Sequence, residues 1–129
     1  MNPISGIHHV CLKAAGRAAW ERAVAFYTQA LGCPLVRSWG EDSASGAMID
    51  LGGCMLELFA DADRPLPSGV LRHLALRTAD VDAALELVRQ AGCEITMGPT
   101  DKALGPDYPI RIAFFRGPAG ESVELIQER

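Results

Sequence analysis

The sequence lacks any apolar run near the ~18 residues that a membrane-crossing helix needs, which excludes a helical membrane span. It also lacks clustered basic residues. Twelve Lys plus Arg stand against sixteen Asp plus Glu, a net charge of −4, and no stretch forms a stripe able to track phosphates, so nucleic acid is not an expected partner. Cysteine is sparse: Cys11, Cys33, Cys54 and Cys93 show no CxxC spacing. Neither a disulfide framework nor a closed thiolate zinc site is indicated, and the four are expected to act as small buried hydrophobes. The start Met-Asn-Pro-Ile-Ser-Gly has neither the basic nor the apolar part of an export signal, so a soluble, cytoplasmic protein is the expectation. The glycine-containing turns hold no phosphate-binding loop.

What is present is 129 residues of ordinary globular composition, 49% hydrophobic, enough for one domain. The chain resembles itself at a period near half its length. Ile7-His8-His9-Val10-Cys11-Leu12 matches Leu71-Arg72-His73-Leu74-Ala75-Leu76, and Gly53-Cys54-Met55-Leu56-Glu57-Leu58 matches Gly120-Glu121-Ser122-Val123-Glu124-Leu125. Between them lie helical periods, Trp20, Val24, Tyr27 and Leu31 in the first half and Val81, Leu85 and Val88 in the second. Asp80 is placed to cap the second helix, and Gly32 and Gly92 to stop one helix each. The offsets are 64 at the histidines, 60 at the glycines and 67 at the glutamates, so the copies differ by loop length.

Strand patterns at residues 35–39 and 47–51, and again at 94–97 and 110–115, give each half the order strand, helix, strand, strand, strand. Residues 61–69, with two prolines and three charged residues, read as a linker, and residues 98–109, with three prolines, as a long and functional loop.

Alternation puts Met55, Glu57 and Phe59 on one face of a strand and Leu56 and Leu58 on the other, which suggests a strand covered on both sides. A carboxylate there costs several kcal/mol unless a positive group meets it. Taken singly, Glu57 is an exposed or arginine-paired strand residue as readily as a ligand, Glu124 a solvent-facing one, and His9 and His73 hydrogen-bonded core histidines. The repeat superimposes histidine on histidine and glutamate on glutamate, and so assembles a two-histidine, two-carboxylate metal site. Nitrogen with oxygen donors suits nickel, cobalt, zinc, manganese or iron(II). The repeat prefers His9 over its neighbour His8, which strand alternation points to the opposite face. Trp39 and Tyr108 could line a pocket or simply pack, and Arg37, Arg72, Arg77 and Arg111 read as solvated strand residues.

At these residues the chain resembles the vicinal oxygen chelate superfamily of glyoxalases, bleomycin-resistance proteins and extradiol dioxygenases. The stretches Ala25-Phe26-Tyr27-Thr28-Gln29-Ala30-Leu31-Gly32 and Gly117-Pro118-Ala119-Gly120-Glu121-Ser122-Val123-Glu124 look like its helix and C-terminal signatures. The resemblance implies an α+β fold: one domain over residues 1–129, built from βαβββ modules 1–66 and 67–129, with a curved mixed sheet around a metal. It implies His9, Glu57, His73 and Glu124 as metal ligands and a homodimer, with an exchange of modules hinged in residues 61–69. Small-molecule substrates are implied, without nucleic acid or membrane.

The His, Glu, His, Glu order is similar to glyoxalase I, the lactoylglutathione lyase. That likeness implies a metal-dependent lyase or isomerase working through an enediolate on a small α-oxo or α-hydroxycarbonyl compound, with Glu124, or else Glu57, as the base. Other members of the superfamily are dioxygenases, epimerases, thiol transferases and metal-free binding proteins. The glutathione-contacting positions of glyoxalase I are occupied differently here, by Lys13 and by Phe59-Ala60-Asp61.

Overall fold

A computed structural model describes residues 5–65, 69, 71–104 and 106–129. The chain divides into two compact units, Met1–Leu66 and Pro67–Arg129.

The first unit runs β1 (His9–Lys13), α1 (Arg17–Ala25), β2 (Leu35–Trp39), β3 (Gly46–Asp50) and β4 (Met55–Phe59). The last three strands form an antiparallel meander, and β1 joins β4 in parallel, giving the order β1-β4-β3-β2. Ala47, Ile49, Leu56 and Leu58 alternate onto one face and are fully buried, and Trp20, Ala23, Phe26 and Tyr27 supply the helical part of this core. The Trp20 indole N–H donates to the Leu58 carbonyl at 2.9 Å, so the burial of that nitrogen carries no unpaired donor.

The regular helix expected through Leu31 ends early. Over Phe26–Ala30 the chain widens into a π turn, with the Leu31 N–H donating to the Phe26 carbonyl at 3.0 Å. The extra residue in that turn lets the consecutive Phe26 and Tyr27 both face the core, while Val24 and Leu31 are only half-buried. Gly32, at φ 72°, then leaves the helix in the left-handed conformation that its sequence position predicts.

The second unit repeats the plan with β5 (Leu74–Arg77), α2 (Val81–Gln90), β6 (Glu94–Ala103), β7 (Pro109–Arg116) and β8 (Ser122–Glu128), in the order β5-β8-β7-β6 with β5 parallel to β8. Val81, Leu85 and Val88 are buried on the side of α2 that lies against β7 and β8, together with Ala113, Phe115, Val123 and Leu125. The Asp80 carboxylate accepts from the Ala83 N–H at 3.0 Å, as its position before the helix predicts, and Gly92 closes α2 at φ 86°.

Three expectations are corrected. Residues 98–109 are not a loop throughout: β6 continues through Pro99 to Ala103. It can do so because it is an edge strand, and Pro99 falls where the register with β7 shifts between Met97 and Thr100, so the missing N–H breaks no ladder bond. The face of β4 that carries Met55, Glu57 and Phe59 is half-exposed, not covered like that of Leu56 and Leu58. The cysteines are free but not buried: Cys11 is exposed on the open face of β1, and the other three are half-buried. Within residues 61–69, Asp61 pairs with Ala15 in an isolated bridge, and residues 66–68 lie outside the described ones. Among the described residues no helix is long and apolar enough to cross a membrane.

Candidate metal-binding pairs

Both units place one histidine and one glutamate on neighbouring parallel strands by the same register. In the first, β1 and β4 align Cys11 with Glu57, and His9 stands two residues earlier, across from Met55. In the second, β5 and β8 align Ala75 with Glu124, and His73 stands two residues before Ala75, just ahead of the strand. The side chains meet along equivalent diagonals. His9 Nε2 lies 3.5 Å from Glu57 Oε1, and His73 Nε2 lies 3.3 Å from Glu124 Oε1.

Each carboxylate side chain is mostly buried, 16% exposed for Glu57 and 13% for Glu124, whereas the imidazoles are 37% and 41% exposed. The partner of each carboxylate is an imidazole nitrogen, not a lysine or arginine. A carboxylate taken mostly out of water is relieved by a shared cation, and one nitrogen with one oxygen is a donor pair for a borderline divalent ion. The donor chemistry of each pair fits a divalent metal. Among the described residues, no group of three or more His, Cys, Asp or Glu side chains is gathered closely enough to hold an ion, and the four sequence-predicted residues come together as one pair in each unit.

The neighbours of the pairs differ. Across the first sheet, the row through Glu57 holds Cys11, Met48 and Arg37; across the second, the row through Glu124 holds Ala75, Phe114 and Met97. The Cys11 thiol, though exposed, is pushed above its usual pKa, first by partial desolvation and then by the charge of the neighbouring Glu57 carboxylate. Trp39 faces Gly46 in the strand register, its ring occupying the space a Cβ at Gly46 would fill, and sits edge-on to Phe59 with centroids 6.0 Å apart. Tyr108 donates to Glu128 at 3.2 Å. Of the four arginines read as solvated, Arg111 instead bridges Asp82 at 2.8 Å and Asp101 at 3.1 Å.

Two features escape the sequence reading. His8 does not point away from His9: the two Nδ1 atoms are 2.8 Å apart, because His8 precedes β1 and strand alternation does not govern its side chain. The doublet His8-His9 is the signal that carried this contact. Lys13 and Asp61, the latter at the end of the run Phe59-Ala60-Asp61, pair with each other at 3.3 Å.

Residues 6–125 match the model of the Glyoxalase/Bleomycin resistance protein/Dioxygenase superfamily. The chain is 32% identical to a 2-epi-5-epi-valiolone epimerase of Actinomyces sp, over 93% of this chain and 78% of that protein. It is 28% identical to the uncharacterized YwkD of Bacillus subtilis (strain 168), over 97% and 98%. Among solved structures, the antibiotic-binding protein TnmS3 from Streptomyces sp. CB03234 superposes with a TM-score of 0.76 at 25% identity, over the full length of both chains.

Proposed function

Since the chain belongs to the glyoxalase/bleomycin resistance protein/dioxygenase superfamily, we propose that it is a metal-dependent isomerase or epimerase. It moves a proton at the carbon beside a carbonyl in a small α-oxo or α-hydroxycarbonyl compound, the chemistry of a glyoxalase I-like enzyme. The observation that carries this reading is the pair of equivalent His–Glu diagonals, which supply two nitrogens and two carboxylates in all. In this reading His9, Glu57, His73 and Glu124 are the metal ligands and the protein is a homodimer. A divalent ion there supplies Lewis acidity to adjacent substrate oxygens and offsets the negative charge that develops as the proton leaves.

Glu124 is the better candidate for the base. The register sets the Cys11 thiol, a potential donor, beside Glu57, whereas the equivalent position beside Glu124 is Ala75, which has no side-chain donor to occupy the carboxylate. Phe114 and Met97 extend the row as apolar neighbours that limit water at the carboxylate. Glu57, the second carboxylate, returns a proton to the carbon where the reaction inverts it, and the epimerase among the relatives supports such an outcome. Lys13 and the run Phe59-Ala60-Asp61, which depart from the glyoxalase I pattern, favour a substrate other than a glutathione adduct, and Lys13 is engaged by Asp61.

The test has two parts. Purified protein is stripped with chelator, reloaded with nickel, cobalt, zinc or manganese and analysed for metal beside His73→Ala. Loaded protein is then incubated in D2O with dihydroxyacetone or with the methylglyoxal–glutathione hemithioacetal. Stoichiometric metal that His73→Ala loses, with deuterium entering dihydroxyacetone faster than the hemithioacetal turns over, supports the reading. Oxygen uptake with iron(II) and a catechol would move the chain to the dioxygenases. A folded wild type that takes up no metal would leave a binding protein, the reading that likeness to TnmS3 supports.

A further inference from the structure

The two histidines are held differently. The His73 ring stands edge-on to Phe114, with centroids 5.3 Å apart and planes at 89°, a contact that orients the ring without engaging its nitrogens. The His9 ring meets another imidazole. His8 Nδ1 and His9 Nδ1 are 2.8 Å apart, and the rings are nearly perpendicular at 82°. Two bare lone pairs or two N–H groups would repel at that distance, so one nitrogen donates and the other accepts. His8 is also fixed by its backbone, whose carbonyl accepts the Met55 N–H at 2.9 Å and so extends the pairing of β1 with β4 by one residue.

We propose that His8 is a positioning residue for His9: its Nδ1 hydrogen bond holds the His9 ring with Nε2 toward Glu57 and sets which nitrogen carries the proton. This rests on the metal reading above only for its consequence, not for the hydrogen bond itself. In the tautomer that carries the His9 proton on Nε2, that N–H faces Glu57 and Nδ1 accepts from His8. A ligand histidine needs a lone pair at Nε2, so its proton must then sit on Nδ1 and be donated to His8. The proton between the rings shifts to His9, one leaves His9 Nε2 for water, and His8 Nε2 takes one from water. The number of protons is unchanged, and the hydrogen bond exists in both states. His73 has no such partner in the contact that orients it, which makes it an internal control.

The experiment uses the full chain, 15N-labelled and metal-free at pH 8, with imidazole nitrogens observed by long-range 15N–1H NMR. Wild type should show His9 as one tautomer, protonated at Nε2, and zinc(II), which is diamagnetic, should convert it to the other. In His8→Phe, which keeps an aromatic ring in place as Phe114 does for His73, the His9 nitrogens should average between tautomers while the His73 signals stay put. Cobalt affinity, measured by calorimetry, should fall about 10–100-fold in His8→Phe. His8→Gln, which can both donate and accept, should recover most of it. Unchanged His9 nitrogen signals in His8→Phe, or equal cobalt affinities for wild type and both variants, would overturn the proposal. A wild type that binds no cobalt would remove the metal reading and this consequence with it, yet the metal-free spectra would still decide whether His8 sets the His9 tautomer.

Discussion

In the first unit the helix starts at Gly16 with no side-chain cap and ends in a π turn, its packing assured by Trp20, Phe26 and Tyr27. In the second, α2 starts on a hydrogen-bonded Asp80 and is tied to the sheet by Arg111, which bonds Asp82 on the helix and Asp101 on β6. Both frames deliver the same His–Glu diagonal. The geometry of the pair is therefore a property of the parallel strands and their register, and the helix is free to vary so long as it buries the opposite face of the sheet. What varies near the pair is its rim: an imidazole, a thiol and a tryptophan in one unit, phenylalanine, alanine and methionine in the other.

The comparison is broken most severely at the glutamates. If Glu124 is the base and Glu57 mainly a ligand, Glu124→Gln should slow deuterium exchange by about 10²–10⁴-fold with metal still bound, and Glu57→Gln should show first as weakened metal uptake. Equal effects of the two would mean that the rims do not distinguish them. Next come the cores. Leu56→Ala in β4 and Leu85→Ala in α2 each remove a buried side chain from the core of one unit, one on its sheet and one on its helix, and each should lower the unfolding free energy measured in urea by about 2–5 kcal/mol.

Smaller effects sharpen the contrast between the helices. Asp80→Ala should cost about 1 kcal/mol in the same assay, with no counterpart in α1, which has no side-chain cap to lose. Arg111 holds the carboxyls of Asp82 and Asp101 below their ordinary range, chiefly by hydrogen bonding. Depressed folded values stabilise the native state above the unfolded aspartate pKa and lose that contribution as pH falls through the folded ones. Acid titration of wild type beside Arg111→Gln should therefore show a shallower acid limb in the variant. Both aspartates are exposed, so the difference should be small and should shrink in high salt.

The repeat made much of this legible. Alternation around Glu57 and Glu124 and the matching histidines singled out the four residues, because strand faces follow directly from residue parity, but the sequence reading expected one group of four and not the two pairs, His9 with Glu57 and His73 with Glu124. The Asp80 cap and the glycine stops depend on single residues and were read from them. The π turn was not legible, since Trp20, Val24, Tyr27 and Leu31 fit a regular helix and only the burial of Phe26 beside Tyr27 demands a wider one. Proline and glycine in residues 98–103 speak for a loop locally, and nothing local reveals that an edge strand would tolerate them. His8 escaped because parity says nothing of a residue just outside a strand, and the Lys13–Asp61 pair because its members are 48 residues apart.

The first sheet carries an indole on each side. Trp20 is buried under β4 and bonded to the Leu58 carbonyl, while Trp39 is partly exposed beside Phe59, the next residue along the same strand. These are the only tryptophans in the chain, so its fluorescence contains two reporters in different solvents. Emission from Trp20 follows whether α1 is docked. Emission and acrylamide quenching of Trp39 follow whether the face that bears His9 and Glu57 is occupied. Single Trp→Phe variants separate the two signals, giving the unit an optical readout of folding and of ligand on opposite sides of one strand.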